Sequence, residues 1–524
     1  MLITKICEVG NHPFTLTEED LAAYKKFGVE QPLPICFPHQ HQQRLAFRND
    51  RFLHRRKCDL TGEEIISMYP AEAPYKVYKR DAWFSDAWDP LSYGRPFDFS
   101  KTFFEQYAEL QSEVPRMALV NVGSTNSDFC NSCVFNKNCY LIFGGDRNED
   151  CMFGSLPMYC KNCVDCDWTR QCQLCYFCAY AENCYQCQFA FYSKNCSDCA
   201  FIENCIGCND CILPSNLRNK SYCIENKQYS KEEYLKKKAE LVTGSYENQQ
   251  ALWKRFQKMR SQRVVLFAHI LNGENVSGEL IFHSKNCLNC YECIGSEDCR
   301  DCWTIFESKD CFNSDYIGKT SVLNYNNLST DNAYNGFCCY FLVDTSDTEY
   351  CELMMSSKHC FGSIGIRHEE FCILNKKYSP EEYKTLREKI IVHMKRTGEF
   401  GRYFPKKLST FPYNESTASY FFPLKKEEAL AAGFKWRDEK TEAQKQTNDE
   451  TLACEVTGKN FRIIPQELEF YVSQKIPIPR RHPDQRYYDR LALRNPFTLF
   501  DRACGKCSTP IKTTYAPNRP ETVY

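Results

Sequence analysis

Cysteine and histidine are the side chains whose spacing in this sequence could do chemistry. Two stretches near the ends echo each other. The first runs Cys7-Glu8-Val9, Pro32-Leu33-Pro34, Cys36-Phe37-Pro38-His39, Arg44-Leu45-Ala46-Phe47-Arg48-Asn49 and Cys58. The second runs Cys454-Glu455-Val456, Pro477-Ile478-Pro479, His482-Pro483-Asp484-Gln485, Arg490-Leu491-Ala492-Leu493-Arg494-Asn495, Cys504 and Cys507. Aligning them pairs Cys36 with His482 and His39 with Gln485. Each copy then offers four soft ligands: Cys7, Cys36, His39 and Cys58 in one, Cys454, His482, Cys504 and Cys507 in the other. Three cysteines and one histidine suit a closed tetrahedral zinc site. A module of about 50 residues has a small core, so a bound ion would supply much of its stability. Two structural Zn2+ ions are therefore expected. A closed site has no open position for water, which argues against catalysis there. His41 rivals His39 as a ligand, Gln485 is no zinc ligand, and His54 reads as solvated in a basic run.

The other 29 of the 35 cysteines lie between Cys130 and Cys372. Cys139, Cys151, Cys163, Cys175, Cys187, Cys199, Cys211 and Cys223 are each 12 residues apart, and Cys160, Cys172, Cys184, Cys196 and Cys208 share the step. Phe177, Phe189 and Phe201 form a further column, with Leu213 below; Asn183, Asn195 and Asn219 share another. A fixed period marks a repeat architecture. The fold class expected is mainly β with α: a two-part cysteine-rich β-solenoid of 12-residue coils, flanked by two zinc-ribbon-like modules. Coils about 4.8 Å apart bring like residues into contact. The narrow interior suits cysteine, a small hydrophobe when free. Packing by reduced thiols, metal held by sets such as Cys160, Cys163, Cys172 and Cys175, and disulfide or redox chemistry are the three readings of this ladder. Regularity favours packing, because a metal site needs a few converging ligands.

A second run starts at Cys287, Cys299 and Cys311, slips, and returns at Cys339/Cys351 and Cys360/Cys372. Both halves end alike, in CIENKQYSKEEY (223–234) and CILNKKYSPEEY (372–383). Ser230 with Glu233 and Ser379 with Glu382 read as capping boxes, and Pro380 suits the first helical position. These helices would cap the open ends. The expected units are an N-terminal zinc-ribbon-like module (1–75), a linker or helical segment (76–129), the first solenoid half with its cap (130–245), a helical connector (246–283), the second half with its cap (284–400), a linker (401–450) and a C-terminal zinc-ribbon-like module (451–524).

The motifs LAFRN with CDLTG and ISMYP, NCYLIFGG (138–145), the CIxNKxYSxEEY caps, and LALRNP with TTYAP resemble one group over nearly the whole chain. They are similar to uncharacterised cysteine-rich zinc-ribbon proteins of ultrasmall candidate-phylum bacteria and some giant viruses. The resemblance implies zinc-ribbon-like ends around a Cys-rich middle, and no activity. Family members carry Cys-Pro-x-Cys where this chain has Cys36-Phe-Pro-His39 and His482-Pro-Asp-Gln485, and they continue into further cysteines beyond the equivalent of Tyr524.

The chain has 524 residues and a formal net charge of −1. Near-neutrality argues against a whole-protein grip on nucleic acid or membrane. The start lacks a secretory pattern, and no apolar stretch approaches the ~20 residues of a membrane helix. A cytoplasmic protein with reduced thiols is expected. Walker, G-x-G-x-x-G, H-E-x-x-H and G-x-S-x-G signatures are missing, so no enzyme is expected. The reading is a non-enzymatic zinc-binding scaffold that contacts other proteins. One alternative is a nucleic-acid-binding factor using Arg44, Arg48, Arg51, Arg55, Arg56 and Lys57 with Arg480, Arg481, Arg486, Arg490, Arg494 and Arg502. Another is a metal store or thiol redox protein.

Overall fold

The computed structural model describes residues 2–438 and 451–524. Residues 439–450 of the expected linker lie outside the described residues. The chain mixes α and β, with more strand than helix.

Parallel pairing at a fixed step dominates the middle. Lys137 bridges Glu149, Glu149 bridges Lys161, and Lys161 bridges Gln173, each 12 residues on. The first half ends in an open five-stranded sheet, four strands parallel and the last pair, Ser221–Ile224 with Lys227–Gln228, antiparallel. The second half forms an eleven-stranded sheet. Cys211 lies opposite Cys223, and Cys360 opposite Cys372. Neighbouring strands about 4.8 Å apart put like residues in contact. Phe189 and Phe201 stack at 4.4 Å between ring centroids, and Asn183 Nδ2 donates to Asn195 Oδ1 at 2.8 Å.

Inside the 12-residue step runs a three-residue beat. Asn162, Asp165, Trp168 and Gln171 all have left-handed φ, between 48° and 56°. The residue before each makes the parallel bridge. The residue after each is buried: Cys163, Cys166, Thr169 and Cys172 here, then Cys175, Cys178, Ala181 and Cys184. The four inward side chains of each step are mostly small, cysteine above all, with a larger one such as Ile142, Ile202 or Ile281 at single steps. Left-handed φ costs on the order of 1 kcal/mol per non-glycine residue, offset by continuous backbone pairing and the buried column. Thiol hydrogens are used too. Cys163 Sγ donates to Lys161 O (3.4 Å) and Cys172 O (3.5 Å), and Cys175 repeats the pattern on Gln173 O and Cys184 O. Every cysteine is free, and all but Cys504 and Cys507 are buried.

The slip in the second half has a single-residue cause. Glu297 bridges Lys309 at 12 residues, Lys309 bridges Val322 at 13, and Val322 bridges Tyr334 at 12 again. One residue is inserted near Gly318, so the later cysteines return shifted by one. The sheet of this half begins at Ile270–Leu271, and its next strand starts at Gly278, whose φ is +135° and where a Cβ would lie 1.7 Å from Cys290 O. The capping boxes at Ser230 and Ser379 form, with Pro380 in the first turn, and a 17-residue helix runs Tyr246–Gln262 from its N-cap Ser245.

The terminal stretches dock crosswise. Helix Phe37–Leu45 presses on the second half. Arg44 Nε donates to Asp315 Oδ2 at 2.6 Å, and Asn313 Nδ2 donates to Gln40 Oε1 at 2.6 Å. Helix Pro483–Leu491 does the same on the first half. Arg490 Nε donates to Asp167 Oδ2 at 2.5 Å and Nη1 to Asp165 Oδ1 at 2.8 Å, while Arg486 takes Asp165 Oδ2 at 2.8 Å. Gln40 and Arg44 thus hold Asn313 and Asp315 as Arg486 and Arg490 hold Asp165 and Asp167.

This docking corrects part of the arginine reading. Arg44, Arg56, Arg486 and Arg490 are buried and paired within the chain, so they are withdrawn from any phosphate. Arg48 lies over the Tyr316 ring at 4.0 Å and Arg494 over Phe497 at 3.9 Å. His41 is also corrected. It stacks on Trp303 at 4.4 Å, and its Nδ1 lies 2.7 Å from Asp315 Oδ1, which takes it away from His39. His54 is paired rather than solvated, with Nε2 3.0 Å from Glu415 Oε2.

Candidate metal centre

Four hairpins are joined by the same turn. Cys7 N donates to His12 O (2.9 Å) and Asn11 N to Cys7 O (2.8 Å). Cys58 with Gly62 and Glu63, Cys454 with Gly458 and Lys459, and Cys504 with Ser508 and Thr509 repeat both bonds within 2.8–2.9 Å. The fourth residue beyond each cysteine has left-handed φ: Asn11, Gly62, Gly458 and Ser508. Such a turn aims backbone amides at the cysteine sulfur. Thr61 N, for example, lies 3.4 Å from Cys58 Sγ.

At the first turn three further side chains meet Cys7. Cys36 is the N-cap of helix Phe37–Leu45 and leaves its sulfur uncommitted to the cap. His39 follows three residues later on the same helix face. His39 Nδ1 lies 3.1 Å from Cys36 Sγ and 3.3 Å from Cys7 Sγ. His12 arrives from the end of the turn, with its ring 5.6 Å from that of His39. One ligand atom from each of Cys7, His12, Cys36 and His39 lies within 4.8 Å of all the others, the one such group among the described residues. Ligands 2.0–2.3 Å from one tetrahedral ion stand about 3.5 Å apart, so these contacts fit a shared ion. Gly10 leaves the room: a Cβ there would lie 2.5 Å from His39 Cε1 and 2.6 Å from His12 Nδ1.

The electrostatics suit a cation. Burial pushes the Cys7 thiol up, but the amides of Cys36, Gly10 and Val9 together hold it below its usual value. Cys36 is pushed up to about 12, by burial first and then by its neighbour Cys7. Two thiols so close cannot both ionise unaided; a divalent ion relieves that repulsion and takes both as thiolates. Burial, then His12, holds His39 below its usual value, which keeps it the neutral imidazole that ligates.

Three of the four residues expected at the N-terminal site converge, and Cys58 does not. Its sulfur accepts amides from Thr61 (3.4 Å) in its own turn and from Lys79 (3.2 Å), the N-cap of helix Arg80–Phe84. His12 stands in its place. The expected C-terminal set does not assemble: no three of Cys454, His482, Cys504 and Cys507 converge. Helix Tyr246–Gln262 gives the reason. Glu455 is held at its start, by Tyr246 OH at 2.8 Å. The Cys504 turn packs past its other end, where Gly505 N donates to Val523 O and Val523 lies against Val265. Seventeen helical residues separate these anchors by about 25 Å. His482 Nδ1 instead accepts the Asp484 amide at 3.1 Å as a helix N-cap. The thiol sets of the ladder, Cys160, Cys163, Cys172 and Cys175 among them, form no converging group either.

His12 escaped sequence reasoning because its counterpart in the second copy is Lys459. The signal was Cys7-x4-His12 beside Cys36-x2-His39. No protein-family model matches the chain, and no curated protein matches it.

Proposed function

We propose that this chain is a non-enzymatic, intracellular zinc-binding scaffold. The observation that carries the reading is the convergence of Cys7, His12, Cys36 and His39. Two sulfurs and two imidazoles make a closed Cys2His2 set, the zinc preference for structure over catalysis. The zinc-ribbon-like character of both ends and the resemblance to cysteine-rich zinc-ribbon proteins belong to the same proposal. So does a β-solenoid of 12-residue coils with helical caps. The parallel bridges at 12-residue spacing and the buried thiols of each step support it. In a solenoid of this kind the thiols are packing material, in keeping with their bonds to backbone carbonyls. Cysteines left free at this density fit a reducing compartment, the cytoplasm. No described helix is long and apolar enough to cross a membrane.

A protein partner suits the outer columns better than a nucleic acid. Phe135 and Tyr159 are exposed, 52% and 38%, and the Arg147 guanidinium lies between them, 5.0 and 5.8 Å from their rings. Aromatic–arginine columns of this kind anchor protein interfaces. The nucleic-acid alternative loses support with the burial of Arg44, Arg486 and Arg490.

Elemental analysis of anaerobically purified chain tests the metal. At least one zinc per folded chain is expected, lost from the centre when His12 and His39 become Ala. A folded, metal-free chain that takes up no zinc would sink the reading.

A further inference from the structure

The net charge of −1 conceals an uneven distribution. Residues 216–262, which end the first half and supply its cap and the following helix, hold eleven lysines and arginines against five glutamates and no aspartate. Lys227, Lys231, Lys236, Lys237, Lys254 and Lys258 are all exposed, and none has a carboxylate partner among the described residues. Two of them are gathered on one side chain: Lys227 Nζ and Lys237 Nζ lie 5.3 and 5.2 Å from the centre of the Tyr229 ring. Like charges held this way repel each other, and an anion from outside relieves the repulsion.

The second cap shows that closing a solenoid end does not require such a surface. Thr385 and Leu386 stand where the first cap has Lys236 and Lys237. Three of its cations are answered from within the chain: Lys377 by Glu369 at 2.6 Å, Lys395 by Glu30 at 3.1 Å, and Arg387 by Glu349. Its helix Pro380–Thr397 buries Tyr383, Ile390, His393 and Met394. Helix Lys231–Leu241 buries only Tyr234, and it leaves Leu235 49% and the C-cap Val242 37% exposed among the lysines.

We propose that this lysine-rich end of the first half docks an acidic protein segment that carries apolar side chains among its carboxylates. The inference names a partner for the scaffold reading, and rests on that reading for the partner being a protein. Carboxylates meet the free ammonium groups, and apolar side chains cover Leu235 and Val242. The free cations are lysines because the arginines here are engaged. Arg255 Nη2 donates to Glu225 Oε1 at 2.8 Å, Arg260 Nη2 to Leu493 O at 3.0 Å, and Arg218 Nη2 to Asn204 Oδ1 at 3.2 Å. A nucleic acid favours arginine forks on its phosphates and open aromatic faces for its bases. Tyr229 is occupied by its two lysines, and Glu232 and Glu233 in the first turn of the cap helix repel phosphate.

Binding of three probes to the reduced full-length chain tests this: a labelled glutamate–leucine peptide, a labelled single-stranded oligonucleotide of equal charge, and phosphatidylserine vesicles. The peptide is expected to bind most tightly and to weaken steadily as salt is raised. Lys236→Glu/Lys237→Glu and, on the neighbouring helix, Lys254→Glu/Lys258→Glu should each weaken it about tenfold or more, with unchanged helix content by circular dichroism. Leu235→Ser should weaken the glutamate–leucine peptide and leave binding of an all-glutamate peptide unchanged. Tighter binding of the oligonucleotide or the vesicles overturns the proposal, as does peptide binding that neither charge reversal moves. Zinc content of the same samples reports separately on the scaffold reading, so a zinc-loaded chain that ignores the peptide removes this inference alone.

Discussion

Removing the Arg490 guanidinium should release the C-terminal stretch from the first half of the ladder. The group is buried and gives three bonds: to Asp167 Oδ2 (2.5 Å), Asp165 Oδ1 (2.8 Å) and Phe153 O (3.0 Å). Both carboxylates are buried as well. Asp165 would keep Arg486, but Asp167 would keep only the Ser155 amide at 2.8 Å. Breaking one partner of a buried ion pair costs about 3–5 kcal/mol, because the other charge stays buried. Arg490→Met preserves the stem, so its cost isolates the charge. A chain of this size will not unfold in two states, and local opening is the better readout. Native-state amide exchange in helix Pro483–Leu491 should accelerate about a hundredfold or more, the factor for about 3 kcal/mol. Asp167→Asn in the Arg490→Met background should restore part of the loss, since a neutral pair leaves no stranded charge. Acceleration below tenfold, or strictly additive effects of the two substitutions, would refute the idea that this ion pair clamps the module.

Three further outcomes follow from the same geometry. Asp301 is buried beside Asp20, and burial first, then that charge, raises its carboxyl to about 7. A carboxyl raised in the folded state contributes stability that is complete below about pH 4 and lost as pH rises through about 7; moving it from 3.8 to about 7 corresponds to about 4 kcal/mol. Thermal melts of wild type should therefore fall relative to Asp301→Asn between pH 4 and 7, and parallel profiles would contradict this. Gly278→Ala forces a Cβ against Cys290 O at a φ of +135° and should cost about 3 kcal/mol or more, seen as new protease sensitivity near residues 270–290; an unchanged digest would count against the strain argument. Chelation should be felt beyond the metal centre, because helix Phe37–Leu45 carries Cys36 and His39 at its start and Arg44 near its end. Amide exchange at residues 312–328 should rise on metal removal while residues 153–167 stay protected, and equal responses in both halves would remove the coupling.

The 12-residue step was legible because cysteine marks the buried column, and a small, soft residue repeated at fixed spacing points to a narrow stacked interior. The three-residue beat within it was not. Its outward positions hold Trp168, Leu174, Tyr180 and Asn183 alike, all with left-handed φ, and only glycine or asparagine would have announced that conformation. The signal present was that cysteines from Cys130 to Cys223 fall at multiples of three. The helix starts at Ser230 and Ser379 were readable for the opposite reason: a capping box is local chemistry, complete within four residues.

The candidate metal ligands divide along the same line. Cys36 and His39 share one turn of helix, so their spacing alone places them together. Cys7 joins them because Glu8 N donates to Pro34 O at 2.8 Å and brings the first turn against the helix start. Cys58 and Cys504 were assigned by counting, and counting carries no information on which hairpin meets which. Each hairpin turn folds on its own bonds and can be set down anywhere its outer face finds a partner: Lys79 for Cys58, Val523 for the Cys504 turn. The duplication that made the two copies recognisable also concealed His12, since the match with Lys459 removed it from the shared pattern. What the copies share in three dimensions is the docking of Gln40 and Arg44, or Arg486 and Arg490, on one rung of the ladder. The repeated arginines therefore record an internal interface, while the two ends part at the residue five places beyond their first cysteine, His12 in one and Lys459 in the other.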